Sequence, residues 1–206
     1  MVGLEALPTH AQQARAMASE LGLRNVEVIE GDIRSSDLPS DSFDVVHCRT
    51  VLNAIAAPQA VVEEMVRLTK PGGWVAAHEP DWLTLLCEPS HPSWDRLHAL
   101  VMGIWKDDGA DAFLGRRLQG MLRAAGLQDV AGSVHIDIRP KGHARRSVLQ
   151  DFVRNLRDRI LTERLVPEVE LDEHLRSVDD HLSDRNTLVL GAMFFPAWGR
   201  KPADAS

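Results

Sequence analysis

The feature that most limits what this chain can fold into is a pair of short apolar runs joined through a small acidic turn. Val26-Glu27-Val28-Ile29 ends at Gly31-Asp32, and Phe43-Asp44-Val45-Val46-His47-Cys48 follows a polar loop of Ser, Asp and Pro. Short β-branched runs bounded by turn residues are strands, and two of them around such a turn indicate an open α/β sheet. Ligands of these sheets sit beyond the carboxyl ends of the strands. Asp32, Ile33 and Arg49 therefore fall where a ligand would be.

Upstream, Val2-Gly3-Leu4 is a short strand that stops at Glu5. Pro8 then opens a helical pattern with Ala11, Ala14, Met17, Ala18 and Leu21 on one face, and Gly22 ends it. An acid at a strand tip, one helix before the next strand, is how nucleotide sites hold ribose hydroxyls, because a carboxylate accepts two hydrogen bonds. The plainer role for Glu5 is a helix-start acid beside the macrodipole.

Downstream, Asn53 through Leu68 reads as a helix with Val61, Val62, Met65 and Val66 inward. Lys70-Pro71-Gly72-Gly73 closes it, and Trp74 to Ala77 is a buried strand. His78-Glu79-Pro80-Asp81-Trp82 lies at that strand's carboxyl end. His47, His78, Glu79 and Asp81 are the side chains able to take a proton there, and the sequence does not choose among them, so the catalytic residue stays open.

Pro89 to Asp111 carries Trp94, Leu97, Leu100, Val101, Ile104 and Trp105 at helical spacing. Such a stripe is core or pocket wall, and Trp82, Trp94 and Trp105 are the candidate walls. Leu114, Leu118, Met121, Leu122 and Ala125 mark another helix ending at Gly126. The alternation Val134, Ile136, Ile138 predicts a half-exposed strand. Helices are expected near Val148–Leu165 and Leu171–Leu182, with Arg145-Arg146, Arg154, Arg157 and Arg159 on a solvated, acid-balanced face. Leu188 to Trp198 is the final strand.

The 206 residues, 44% of them hydrophobic, suffice for one domain over 1–206, with 83–112 and 142–186 as helical cover segments. A net charge of −7 argues against nucleic acid or an anionic membrane surface and favours a small-molecule partner. Cys48 and Cys87 are too few for a disulfide framework or a metal knuckle, so no metal is expected and reduced thiols are the default. The first residues lack a basic segment followed by a long apolar core, and no run reaches the length of a membrane span. The expectation is a cytoplasmic protein with a homodimer as the candidate assembly and a polar tail over Lys201 to Ser206.

Several of these segments, in order, resemble class I S-adenosylmethionine-dependent methyltransferases, especially the small-molecule branch similar to ubiquinone-biosynthesis and type 11 enzymes. They are Glu27 to Ile33, Leu38-Pro39, Ser42 to Val46, Lys70 to Val75, Glu79 to Trp82, and Phe194 to Pro202. The resemblance implies a three-layer Rossmann-like α/β sheet, mostly parallel, with the last strand antiparallel beside the fifth. It also implies S-adenosyl-L-methionine as cofactor, with Glu5 on the ribose, Asp32 on the adenine amine, Ile33 on the ring, and Arg49 making a main-chain contact. In the family a first strand with a glycine-rich acidic turn precedes the Glu5 strand, and this chain contains no such turn. The expectation is an N-terminally truncated fold with unpaired edges on the strands ending at Glu5 and Cys48. The function implied is methyl transfer to an O, N or C atom of a small molecule. The alternatives are a non-catalytic methyltransferase-like remnant and an NAD-dependent Rossmann enzyme.

Overall fold

The computed structural model describes residues 1–203. Of the expected polar tail, residues 204–206 lie outside the described residues. The strands are β1 (Val2–Glu5), β2 (Glu27–Glu30), β3 (Phe43–Arg49), β4 (Thr69–Asp81), β5 (Leu86–Glu88), β6 (Gln128–Gly132), β7 (Leu188–Leu190) and β8 (Met193–Arg200). The helices are α1 (Pro8–Glu20), α2 (Pro58–Leu68), α3 (Pro92–Asp107), α4 (Leu118–Ala124), α5 (Val148–Asn155), α6 (Arg157–Thr162) and α7 (Glu168–Ser183). No helix among them is long and apolar enough to cross a membrane.

The central sheet has the order β3-β4-β8-β6. β3 runs parallel to β4, and β8 runs antiparallel to both β4 and β6, so three strands point one way and the last opposes them. This is the mostly parallel α/β sheet with an antiparallel last strand that the sequence implies. β1 and β2 form a separate parallel pair. Among the described residues β1 has no ladder partner other than β2, and β3 none other than β4.

Two apolar clusters organise the packing. Val61, Val62 and Met65 of α2 and Leu118 and Leu122 of α4 bury the Val75 and Ala77 face of β4. Helices α3, α5, α6 and α7 close around Trp94, Leu97, Val101, Leu149, Ile160, Leu171 and Val178 in a second cluster that also takes in Trp82. On the other face of the sheet Val45 is 58% exposed, and Trp74 and Trp198 are each 37% exposed.

Several boundaries differ from the sequence expectation. The helix foreseen from Asn53 starts at Pro58, where a proline's missing N–H breaks no bond; Leu52–Ala54 is a short 3-10 turn instead. Lys70 to Gly73 lies inside β4 as an irregularity, the register jumping from Phe43↔Thr69 to Val45↔Trp74. Val134 to Ile138 forms only isolated bridges, His135↔Phe194 and Ile138↔Leu190, and the strand that pairs with β8 on that side is Gln128–Gly132. Helix α5 ends at Asn155, and Leu156 separates it from α6. The final strand breaks at Gly191 so that β7 pairs with β5 and β8 with β4. On α1 only Ala11 is buried, while Met17 and Leu21 are exposed.

The loop after β3 is held by Glu79, which is fully buried. Its carboxylate accepts the amides of Val51 (3.0 Å), Leu52 (3.1 Å) and Asn53 (3.2 Å). From the other side the Asn53 carbonyl accepts the Asp111 amide at 2.8 Å. Burial raises the Glu79 carboxyl above the usual carboxylate range, and the three amides oppose the shift.

Two predictions follow from this clamp. Glu79→Ala leaves three buried donors unpaired, at about 1–3 kcal/mol for each orphaned group; a urea titration should show a loss on the order of 3 kcal/mol, and an unchanged midpoint removes the clamp. Because the folded-state value is raised, the charge disfavours folding at neutral pH and that cost fades as pH falls through the folded value toward 4.5. Wild type should therefore gain stability relative to Glu79→Gln on acidification. Gly115 tests the neighbouring contact, since an added Cβ would lie 2.7 Å from the Glu79 carbonyl and 2.9 Å from the Pro80 carbonyl. Gly115→Ala should lower stability by roughly 1–3 kcal/mol through overpacking against backbone, read as a drop in melting temperature.

Candidate functional site

A cavity of about 540 Å³ opens beyond the carboxyl ends of β3 and β4, between the two apolar clusters. Side chains of a strand alternate faces: Glu79 and Asp81 point one way, His78 and Pro80 the other. Pro80 stands opposite Phe194 in the β4–β8 register, and both line the cavity. Trp82, Trp105 and Phe152 form its helical wall, their rings edge-to-face at 5.2, 5.3 and 5.1 Å between centroids. Edge-to-face triads of this kind add to simple burial and fix the ring orientations.

Two polar groups in this wall lack partners. The Asn53 side-chain carbonyl and the Trp82 indole N–H are buried and make no hydrogen bond. Asn53 is 9% and Trp82 7% exposed. Buried polar atoms are nearly always paired, and here an unpaired acceptor and an unpaired donor both belong to residues that line one cavity.

A second cavity of about 200 Å³ adjoins the first, sharing Phe194, Arg139 and Arg145 and adding Arg49, His78 and His135. The Arg49 guanidinium lies 5.6 Å from the centre of the Phe194 ring, and the His78 ring packs edge-on to it at 5.0 Å. Burial, with the charges of Arg49 and His135, lowers the His78 pKa. Its imidazole is thus neutral at physiological pH, and its Nε2 is buried without a partner. Arg139 is buried and paired with Asp137 at 2.9 Å, while the Arg145 side chain makes no ion pair or hydrogen bond among the described residues.

The other proton-accepting candidates are engaged elsewhere or lie apart. Glu79 serves the loop amides, and Asp81 accepts the Leu83 amide at 3.0 Å and pairs with Arg116. His47 lines neither cavity. Of the candidate walls, Trp82 and Trp105 line the larger cavity, whereas Trp94 lies in the helical core at 2% exposure.

The four residues expected at a cofactor fall into two groups. The Glu5 carbonyl accepts the Gly31 amide at 3.0 Å, which sets the Glu5 and Asp32 strand tips side by side. One Glu5 carboxylate oxygen accepts the Leu7 amide at 2.9 Å ahead of α1. Asp32 caps the turn Ile33–Ser35 through the Arg34 amide at 2.8 Å and is gripped by the Arg34 guanidinium, which lowers its pKa to about 2. Ile33 packs against the sheet cluster. Arg49 belongs to the central sheet and borders the smaller cavity, apart from the β1–β2 pair.

The sequence reading passed over Asn53, Phe152, Phe194, Arg139 and Arg145 as site residues. One signal was present for Asn53: Pro58 confines the helix start, which leaves Asn53 in the loop. The basic cluster splits in the fold. Arg154, Arg157 and Arg159 pair with acids as expected, but Arg146 is buried and donates to the carbonyls of Leu182, Arg139, Asp184 and Thr187. That leaves Arg145 facing the cavities.

Comparison with known proteins agrees with the fold. N-methyltransferase tcpN of Claviceps purpurea is 36% identical over 92 residues, covering 43% of this chain and 33% of that protein. N-methyltransferase sirN of Leptosphaeria maculans is 28% identical over 178 residues, covering 79% of this chain and 61% of its own. The chain thus spans between a third and three-fifths of the length of these relatives. The crystal structure of YcgJ from Bacillus subtilis superposes with a TM-score of 0.60 at 17% identity, covering 98% of this chain and 82% of that one. The family described as "Methyltransferase domain" matches residues 1–126, from β1 through α4, and the chain belongs to that family.

Proposed function

We propose that the chain serves S-adenosylmethionine-dependent methyl transfer to a small-molecule acceptor. The observation that carries the reading is that the family match over residues 1–126 takes in both the Glu5 and Asp32 strand tips and the cavity-forming segments from Thr50 to Ala110. The residues present fit the adenosine half of the cofactor in part: two carboxylates stand at adjacent strand tips, Glu5 with one oxygen to spare and Asp32 held on both oxygens by Arg34, which has to yield one to the adenine. Glu5 would hold the ribose hydroxyls, Asp32 and Ile33 the adenine, and Arg49 the cofactor through its main chain. The chain offers no glycine-rich turn for the methionine end. When bound, the cofactor supplies a methyl group already activated on a sulfonium sulfur.

What is left to the protein is alignment and exclusion of water. The aromatic wall of Trp82, Trp105 and Phe152 strips water from the acceptor, and the Asn53 and Trp82 polar groups orient it. His78, neutral at physiological pH, borders the smaller cavity beside His135, and it serves as proton acceptor where the attacking atom carries a proton.

Calorimetric titration of the purified chain with S-adenosylmethionine, S-adenosylhomocysteine and NAD separately tests the reading. Heat with the first two alone supports it; heat with NAD alone points to a dehydrogenase, and none with any ligand to a non-catalytic methyltransferase-like protein. Asp32→Ala should weaken S-adenosylhomocysteine binding about tenfold through the lost charge-assisted hydrogen bond. Unchanged affinity takes Asp32 out of the site.

A further inference from the structure

We propose that the paired cavities bind a hydroxylated aromatic carboxylate: the ring and its hydroxyl in the larger cavity, the carboxylate at Arg145 and Arg49. The proposal deepens the methyl-acceptor reading above and rests on it only for the ligand's role as acceptor. Its binding chemistry stands on the cavity itself.

Three observations converge. The wall of Trp82, Trp105, Phe152 and Phe194 is aromatic on the helical and the sheet sides, and it suits a planar apolar body. A cation is a poor occupant, because Arg139 and Arg145 border both cavities and the two acids there are already paired, Asp108 of the larger with Arg159 at 2.6 Å and Asp137 of the smaller with Arg139 at 2.9 Å.

The second observation is the unpaired couple in the wall, one acceptor on Asn53 and one donor on Trp82. A hydroxyl both donates and accepts, so such a group on the ring can pair with either of them. The Asn53 backbone is fixed between Glu79 and Asp111, so the side-chain carbonyl is presented by a rigid loop. Site groups held in this way lose little freedom on binding.

The third is charge. In a chain with a net charge of −7, the rim of the two cavities carries Arg49 and Arg145, whose guanidinium groups have no acidic partner among the described residues. The fifteen-residue stretch around α5 and α6 shows the contrast, since Arg154, Arg157 and Arg159 each reach a carboxylate within 2.8 Å. Unpaired guanidinium groups at a pocket mouth recognise carboxylates.

Binding of para-hydroxycinnamate to the whole chain tests the proposal by isothermal titration calorimetry at low ionic strength. The comparison ligands are its primary amide, cinnamate without the hydroxyl, and choline. The acid should bind about tenfold tighter than the amide, on the scale of one charge-assisted hydrogen bond. Arg145→Gln, at an exposed side chain without internal bonds, should shrink that difference and leave the amide unchanged, and Arg145→Gln with Arg49→Gln should erase it. Asn53→Ala should bring para-hydroxycinnamate down to the affinity of cinnamate. Equal binding of acid and amide, or choline binding tighter than the acid, overturns the proposal. S-adenosylhomocysteine is titrated separately: if it fails while para-hydroxycinnamate binds, the methyl-donor reading falls and this one stands. If it binds while para-hydroxycinnamate does not, the reverse holds.

Discussion

The buried carboxylate of Glu79 is the interaction on which the working end of this molecule depends. It sits at the carboxyl end of the central strand and gathers three consecutive amides from the loop that follows the neighbouring strand. A turn in which three N–H groups converge has no helical or sheet partner for them. Without an internal anion they would need water, and this position is sealed from water. The result is a loop whose geometry is set by the strand beside it. Thr50 tolerates a left-handed backbone at φ +53° within that loop, a strained setting that persists because its surroundings over-determine it.

The cavity exists because two cores meet without merging. One core is the sheet face packed by α2 and α4; the other is the helical group around Trp94 and Leu97. Trp82, on the turn just after β4, packs in the second core and lines the cavity, and its indole N–H is left unpaired. Side chains at such a junction satisfy neither core fully, and here the shortfall is polar: one unpaired carbonyl and one unpaired N–H among the residues that line the cavity. The basic residues sort by the same logic. Arg146 is consumed in tying the loop before α5 to carbonyls near the end of α7, whereas Arg145, one residue earlier, has nothing internal to bind and borders the opening.

Much of the fold could be read before any coordinates. The strands ending at Glu5, Glu30 and Arg49 were legible from β-branched runs and the turn residues that stop them, and α2 and α4 from their apolar faces. The antiparallel last strand came from the resemblance rather than from periodicity. The differences share a cause: a local pattern does not say which segment a residue pairs with. Val134, Ile136 and Ile138 alternate like a strand, yet the hydrogen bonds available at that edge of β8 are taken up mainly by Gln128–Gly132. Asn53 looked like a helix residue because its own propensity says little about where its amide will go.

The sequence by itself determined the family, the order of its elements, and the acids at the tips of the first two strands, because these are set by hydrophobic period, by turn chemistry and by motif, all properties of neighbouring residues. Only the tertiary structure decided which carboxylate is structural, which arginine stays unpaired, and that Asn53, Trp82 and Phe194 share one cavity. Those facts rest on contacts between positions tens of residues apart, and whether a polar atom is satisfied or left open depends on everything packed around it rather than on the residues beside it in the chain.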